Sequence, residues 1–139
     1  MTDSEMNKMS VDSKTILVVD DDELTTRFLN MLLTKEGFNT LIAKNGIEAL
    51  DYLKSASPKV DLIILDLMMP QRGGYEILKD LQETEHKNIP VFIITARTMD
   101  KETIDMFRSE PNVSDYWTKP IDLVKLKDRV HEVLGTTPK

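Results

Sequence analysis

Five short apolar runs, each followed by a stretch with helical spacing, constrain this chain more than any other feature of its sequence. Residues 15–19, 40–43, 62–65, 91–95 and 113–117 are rich in β-branched and aromatic side chains and have the length of strands. Between them Leu24, Phe28, Met31 and Leu32 recur at helical spacing until Gly37 ends the pattern, and Ile47, Leu50 and Leu53 mark a second helix. Tyr75, Leu78 and Leu81 mark a third, Ile104 and Phe107 a shorter fourth, and Leu123, Leu126, Val130 and Val133 a last one closed by Gly135. Strand and helix therefore alternate five times. Units of this length predict an α/β, doubly wound (βα)5 fold, a five-stranded parallel sheet with helices on both faces. Residues 16–19 and 62–65 are unbroken apolar runs, as strands buried on both sides require.

A length of 139 residues fits one core. Residues 1–14 are polar and without period, so they are expected to be a disordered leader; residues 15–135 form the domain and 136–139 a short tail. The absence of cysteine excludes disulfides, thiolate nucleophiles and cysteine-ligated metals. A net charge of −6 argues against holding nucleic acid on a basic surface. The longest apolar stretch, residues 62–70, is broken by Asp66 and too short for a bilayer, and the polar N-terminus lacks a signal-peptide core. A cytoplasmic chain is expected.

In sheets of this kind, ligands bind beyond the carboxyl ends of the strands. At those positions the chain carries Asp20, Asp21, Asp22 and Glu23 after the first strand, Asp66 after the third, Thr95 at the end of the fourth and Lys119 after the fifth. Carboxylates gathered at one edge repel one another unless a cation or proton compensates them. Oxygen ligands of this type suit Mg²⁺, which usually takes one or two carboxylates together with phosphate oxygens. Lys119 would neutralise one phosphoryl oxygen and the Thr95 hydroxyl would bond another, while Asp66 is the carboxylate suited to form an acyl phosphate.

The segments ILVVDDDE at 16–23, DLIILDLMMP with glycine at 74, IITA at 93–96 and YWTKP at 116–120 closely resemble the response-regulator receiver family of two-component signalling. The resemblance spans residues 14–134 and implies a CheY-like, flavodoxin-like fold. It implies Asp20 and Asp21 as an acidic pair, Asp21 directly on the metal and Asp20 through water. It further implies Asp66 as phosphoacceptor and the backbone carbonyl of Met68 as a metal ligand, with Mn²⁺ able to replace Mg²⁺. Thr95 and Tyr116 resemble the family's switch pair, Lys119 its lysine, and the Lys119–Pro120 bond is a candidate cis peptide. The implied partners are a sensor histidine kinase or a histidine phosphotransfer protein, and a downstream protein target. Direct nucleic-acid and membrane contacts are not expected. A homodimer could form through the face of the fourth helix, fifth strand and fifth helix. The implied activity is that of a signalling phosphoacceptor with Mg²⁺-dependent self-phosphorylation and autodephosphorylation, not a conventional enzyme. With residues 136–139 alone after the last helix, a single-domain response regulator is expected.

Pro111-Asn112-Val113-Ser114 departs from the Gly-Ala pair that many receivers carry before the switch aromatic, and Gly73 from their acidic or amide residue. Met68 and Arg97, two residues beyond Asp66 and Thr95, are placed to screen the phosphoryl group from water. Taken singly, each residue has a plainer explanation. Asp22 is read as the cap of the first helix and left out of the site. Trp117 is read as core, and His86 and His131, in polar surroundings, receive no role. A haloacid-dehalogenase-like phosphatase would also form an aspartyl phosphate, but would leave Asp66, Thr95 and Lys119 without the right order of roles. An FMN binder lacks its phosphate-cradling loop after the first strand.

Overall fold

The computed structural model describes residues 14–55, 59–67, 69, 74–86, 88–96 and 100–138. Its strands are β1 (Thr15–Val19), β2 (Asn39–Ala43), β3 (Leu62–Asp66), β4 (Val91–Thr95) and β5 (Val113–Thr118). Its helices are α1 (Glu23–Lys35), α2 (Gly46–Lys54), α3 (Gly74–Gln82), α4 (Lys101–Arg108) and α5 (Leu123–Leu134). The strands form one sheet in the order β2-β1-β3-β4-β5, every pair parallel. This is the doubly wound fold expected from the alternation. The order reverses between β1 and β3, so the switch point falls between the strands that carry Asp20 and Asp66.

β1, β3 and β4 are buried along their whole length, and their side chains alternate between two cores as the pleat requires. Leu17, Val19, Ile63, Leu65, Val91 and Ile93 face one core, completed by residues of α2, α3 and α4 such as Leu53, Leu78 and Phe107. Ile16, Val18, Leu62, Ile64, Phe92 and Ile94 face the other, completed by Leu29 and Leu33 of α1 and by Leu126 and Val130 of α5. Each helix start with a described cap is fixed by a side-chain acceptor: Asp22 for α1, Asn45 for α2, Asp100 for α4 and Asp122 for α5. At the end of α5, Gly135 takes a left-handed conformation with φ 67°.

α1 buries a different face from the one its apolar spacing suggested. Leu24, Phe28 and Met31 are 59%, 49% and 63% exposed, while Leu29 and Leu33 are enclosed and Leu32 packs at the margin of their core. Two apolar rows run along this helix, and only one can face the sheet. Spacing identifies the helix but not the row that docks. Ile47 on α2 is likewise exposed, and Ala49 with Leu53 takes the core side.

His131 also differs from its expected polar setting. It is buried, with Nε2 2.8 Å from Glu36 Oε1 and Nδ1 2.7 Å from Thr136 Oγ1, and its ring lies 5.0 Å from that of Phe38. α5 packs beside α1, which brings the residue after Val130 onto the buried stripe. His86 lies 3.8 Å from Glu85 Oε1 at the surface end of its loop. Apart from Lys14, whose carbonyl accepts from the Asn39 amide, the expected leader lies outside the described residues. No described helix is long and apolar enough to cross a membrane.

Candidate functional site

The parallel register brings four strand ends to one edge. Asp20 follows β1 with its backbone amide bonded to the Ala43 carbonyl, and Asp66 closes β3 beside Ile94 of β4. One residue beyond Ile94, Thr95 ends β4, where its carbonyl accepts from the Lys119 amide at 2.8 Å. That bond sets the course of the chain leaving β5, where the Lys119–Pro120 peptide is cis, as the resemblance implied.

Asp20, Asp21 and Asp66 converge so that one carboxylate oxygen from each lies within 4.8 Å of the others. Asp20 and Asp66 are buried, whereas Asp21 stands exposed at the mouth. Lys119 reaches into this cluster, with Nζ 2.9 Å from Asp20 Oδ2 and 3.5 Å from Asp66 Oδ2. Burial of Lys119 works against its charge. The hydrogen bond and charge of Asp20, with Asp66 and Asp22 behind it, outweigh that penalty and hold the ammonium above its ordinary range. One ammonium does not neutralise three carboxylates. The donor set, all hard oxygen with one member open to solvent, fits a divalent cation such as Mg²⁺.

Asp22 belongs partly to this site. Its expected capping role holds: Oδ1 accepts from the Leu24 amide at 3.1 Å and Oδ2 from the Thr25 hydroxyl at 2.7 Å. Its Oδ2 also lies 3.8 Å from Lys119 Nζ, and its amide donates to Asp20 Oδ1 at 2.9 Å. The Thr25 hydrogen bond, aided by the Leu24 amide and Lys119 against slight burial, lowers its pKa. The acidic run in the sequence carried the signal for both roles; only the approach of the β5–α5 turn reveals the second.

Gly74 completes the floor. A Cβ built there would lie 2.7 Å from Leu67 Cα and 2.9 Å from the Asp66 carbonyl oxygen, so α3 can begin this close to the Asp66 turn only without a side chain. Thr95 is fully buried. Tyr116 lies on β5 opposite Ile93, its ring against the core beneath α2, α3 and α4, while Trp117 points to the other core, 6.3 Å from Phe92. Trp117 is therefore the half-buried core residue the sequence suggested. Asn112 does not disrupt the turn into β5: its side-chain amide donates to the Ile89 carbonyl at 3.2 Å, and its carbonyl accepts from the Val91 amide. Met68, Gly73 and Arg97 lie outside the described residues, and with them the expected metal-ligating carbonyl.

Beside the acidic cluster, a groove of about 520 Å³ runs between α1 and the β5–α5 turn, lined by Leu24, Phe28, Ala96, Lys119, Pro120 and Leu123. The exposed apolar row of α1 thus continues to the edge of the site.

Residues 16–131 match the family described as "Response regulator receiver domain". The chain is 38% identical over 119 residues to the transcriptional regulatory protein CpxR of Escherichia coli, covering 86% of this chain and 48% of that protein. It is 34% identical to response regulator RR06 of Streptococcus pneumoniae, covering 86% of this chain and 52% of that protein. The chain thus spans about half the length of these curated relatives. The receiver domain of Francisella response regulator 1452 superposes with a TM-score of 0.76 at 31% identity, over 88% of this chain and 98% of that one. A response regulator receiver protein from Pseudomonas putida superposes at 0.78 with 27% identity, over 86% and 97%. The chain belongs to the response regulator receiver domain family of two-component signalling, and its aspartate cluster is of the kind typical of that family's phosphorylation site.

Proposed function

We propose that Asp66 accepts a phosphoryl group from a phosphohistidine of a sensor kinase or histidine phosphotransfer protein, or from a small acyl phosphate. The observation that carries this reading is the placement of the Asp66 carboxylate. It is buried at the sheet edge, 3.5 Å from the Lys119 ammonium and within one oxygen cluster with Asp20 and Asp21. Asp20, Asp21 and Asp66 would hold Mg²⁺, or Mn²⁺ in its place, and the bound ion supplies compensation for charge on the phosphoryl oxygens.

An Asp66 oxygen forms the new bond to phosphorus as the donor's P–N or P–O bond breaks, and the electron pair leaves with the donor. Lys119 exchanges part of its contact with Asp20 for a phosphoryl oxygen, and Thr95 donates its hydroxyl to another. Water later cleaves the acyl phosphate and returns Asp66 to the carboxylate. The phosphorylated form favours Thr95 and Tyr116 turned toward the site, which changes the face of α4, β5 and α5 that meets a downstream protein or a second copy of the chain. Leu24 and Phe28 line the groove that ends at Lys119, and Met31 continues their exposed row along α1, so this row offers a protein donor an apolar surface beside the site.

Intact-mass spectrometry after incubation with acetyl phosphate tests the central claim, with and without Mg²⁺, on the wild type and Asp66→Asn. A single phosphoryl adduct that needs both Mg²⁺ and Asp66 is the expected result. An adduct retained by Asp66→Asn would move the acceptor elsewhere, and no adduct with any donor would favour a pure interaction module.

A further inference from the structure

Tyr116 combines two features that oppose each other. Its ring packs against the core beneath α2, α3 and α4, yet its hydroxyl is enclosed with no hydrogen-bond partner among the described residues. Burying a hydroxyl without a partner is unfavourable, so the hydroxyl works against the position the ring prefers. The unpartnered hydroxyl thus offsets part of what burial of the ring contributes.

Arg108 acts on that balance from outside. It is the last residue of α4, exposed to solvent, and its Cζ lies 5.6 Å from the centroid of the Tyr116 ring. That is within the reach of a cation–π attraction. The carboxylates near this end of the sheet are engaged elsewhere: Glu110 pairs with Lys79 at 3.0 Å and Asp115 with Arg129 at 2.6 Å. Among the described residues Arg108 forms no salt bridge, and its guanidinium lies over the aromatic face of Tyr116. A planar guanidinium suits that face better than an ammonium would.

We infer that Arg108 is a positioning residue that holds the Tyr116 ring inward from the α4 side and thereby sets how readily this aromatic moves. The consequence for signalling rests on the reading of Asp66 as phosphoacceptor; the positioning itself does not. A side chain on the partner-facing surface would then tune the resting population of the switch. Anything that draws Arg108 away, such as an acidic group on a docking protein, would release the ring.

The test uses the whole chain labelled with 3-fluorotyrosine, without any phosphodonor. The sequence has three tyrosines, Tyr52, Tyr75 and Tyr116, so Tyr116→Phe identifies the third fluorine resonance and the other two report that each variant is folded. Accessibility of Tyr116 to a soluble paramagnetic agent measures the outward population. Arg108→Gln is expected to raise that population about two- to fivefold, the range of an exposed cation–π contact, and Arg108→Lys to restore part of it. An unchanged Tyr116 resonance in Arg108→Gln would overturn the proposal. So would an Arg108→Lys variant as displaced as Arg108→Gln, since that would leave packing rather than charge as the cause. Acetyl phosphate and Mg²⁺ are added only afterwards. Failure to form the Asp66 adduct would then reject the phosphoacceptor reading and leave the comparison of unphosphorylated proteins standing.

Discussion

The Lys119 ammonium sits 2.9 Å from the buried Asp20 carboxylate, so the resting site already holds a cation of its own. Its raised pKa fixes the sign of one pH dependence. A folded-state pKa above the unfolded value contributes stability that is complete below the ordinary lysine value of 10.5 and lost as pH rises through the folded value. Thermal melts above about pH 10.5 should therefore fall more steeply for the wild type than for Lys119→Met. At neutral pH Lys119→Met removes the ammonium that faces Asp20 and Asp66, and added Mg²⁺ should raise its melting temperature more than that of the wild type. Equal pH and Mg²⁺ responses in the two proteins would contradict this account.

Gly74→Ala should be strongly disruptive for its size. The new Cβ would have to move backbone atoms of Leu67 and Asp66, not a flexible side-chain tip alone. A loss of about 1–3 kcal/mol is expected from overpacking of this kind, measured by urea denaturation. The rate of acetyl phosphate labelling should fall with it, because the displaced backbone is that of Asp66.

His131 and Glu36 join the C-terminal ends of α5 and α1 through a buried contact of 2.8 Å. His131→Ala removes the imidazole's contacts with Glu36 and Thr136 and its packing against Phe38, so it should cost about 1–3 kcal/mol in chemical denaturation. Labelling per folded molecule should stay unchanged, since neither residue belongs to the acidic edge. The conservative Glu36→Gln, which keeps an acceptor for the imidazole, should lose less than His131→Ala.

Phe28→Ser with Met31→Ser should separate the two kinds of phosphodonor. Both side chains are about half exposed or more, so stability should change little. Transfer from a phosphorylated protein partner should slow at least about tenfold if the two lost contacts behave as interface anchors. Labelling by acetyl phosphate should match the wild type. Equal slowing with both donors would place the defect in the site and not in docking.

The strand-end chemistry was legible because the physics that sets it is local. A run such as residues 62–65 has no polar atom to offer solvent, so it must be a buried strand, and the next residue, Asp66, must then emerge at its carboxyl edge. The same reasoning placed Asp20 and Thr95, whereas Lys119, which follows a strand containing Ser114 and Asp115, was placed by the alternation of strands and helices. The sequence alone thus determined the fold, the edge and the acidic cluster.

Tertiary packing decided which of two competing local solutions each remaining residue adopts. The two apolar rows of α1 satisfy helical spacing equally, and only contact with β1 and α5 selects Leu29 and Leu33 for the core, leaving Leu24, Phe28 and Met31 outside. His131 is polar by composition but is buried because Glu36 and Thr136 supply partners from segments that meet it only in the folded chain. Asp22 caps α1 by a local rule, yet its approach to Lys119 depends on how the chain turns after β5. Arg108 is one exposed charge among many until β5 brings Tyr116 beneath it. Hydrophobic periodicity acts within a segment, whereas choice of face, burial of a charge and an ion pair's partner depend on distances between segments, which only the assembled sheet and helices set.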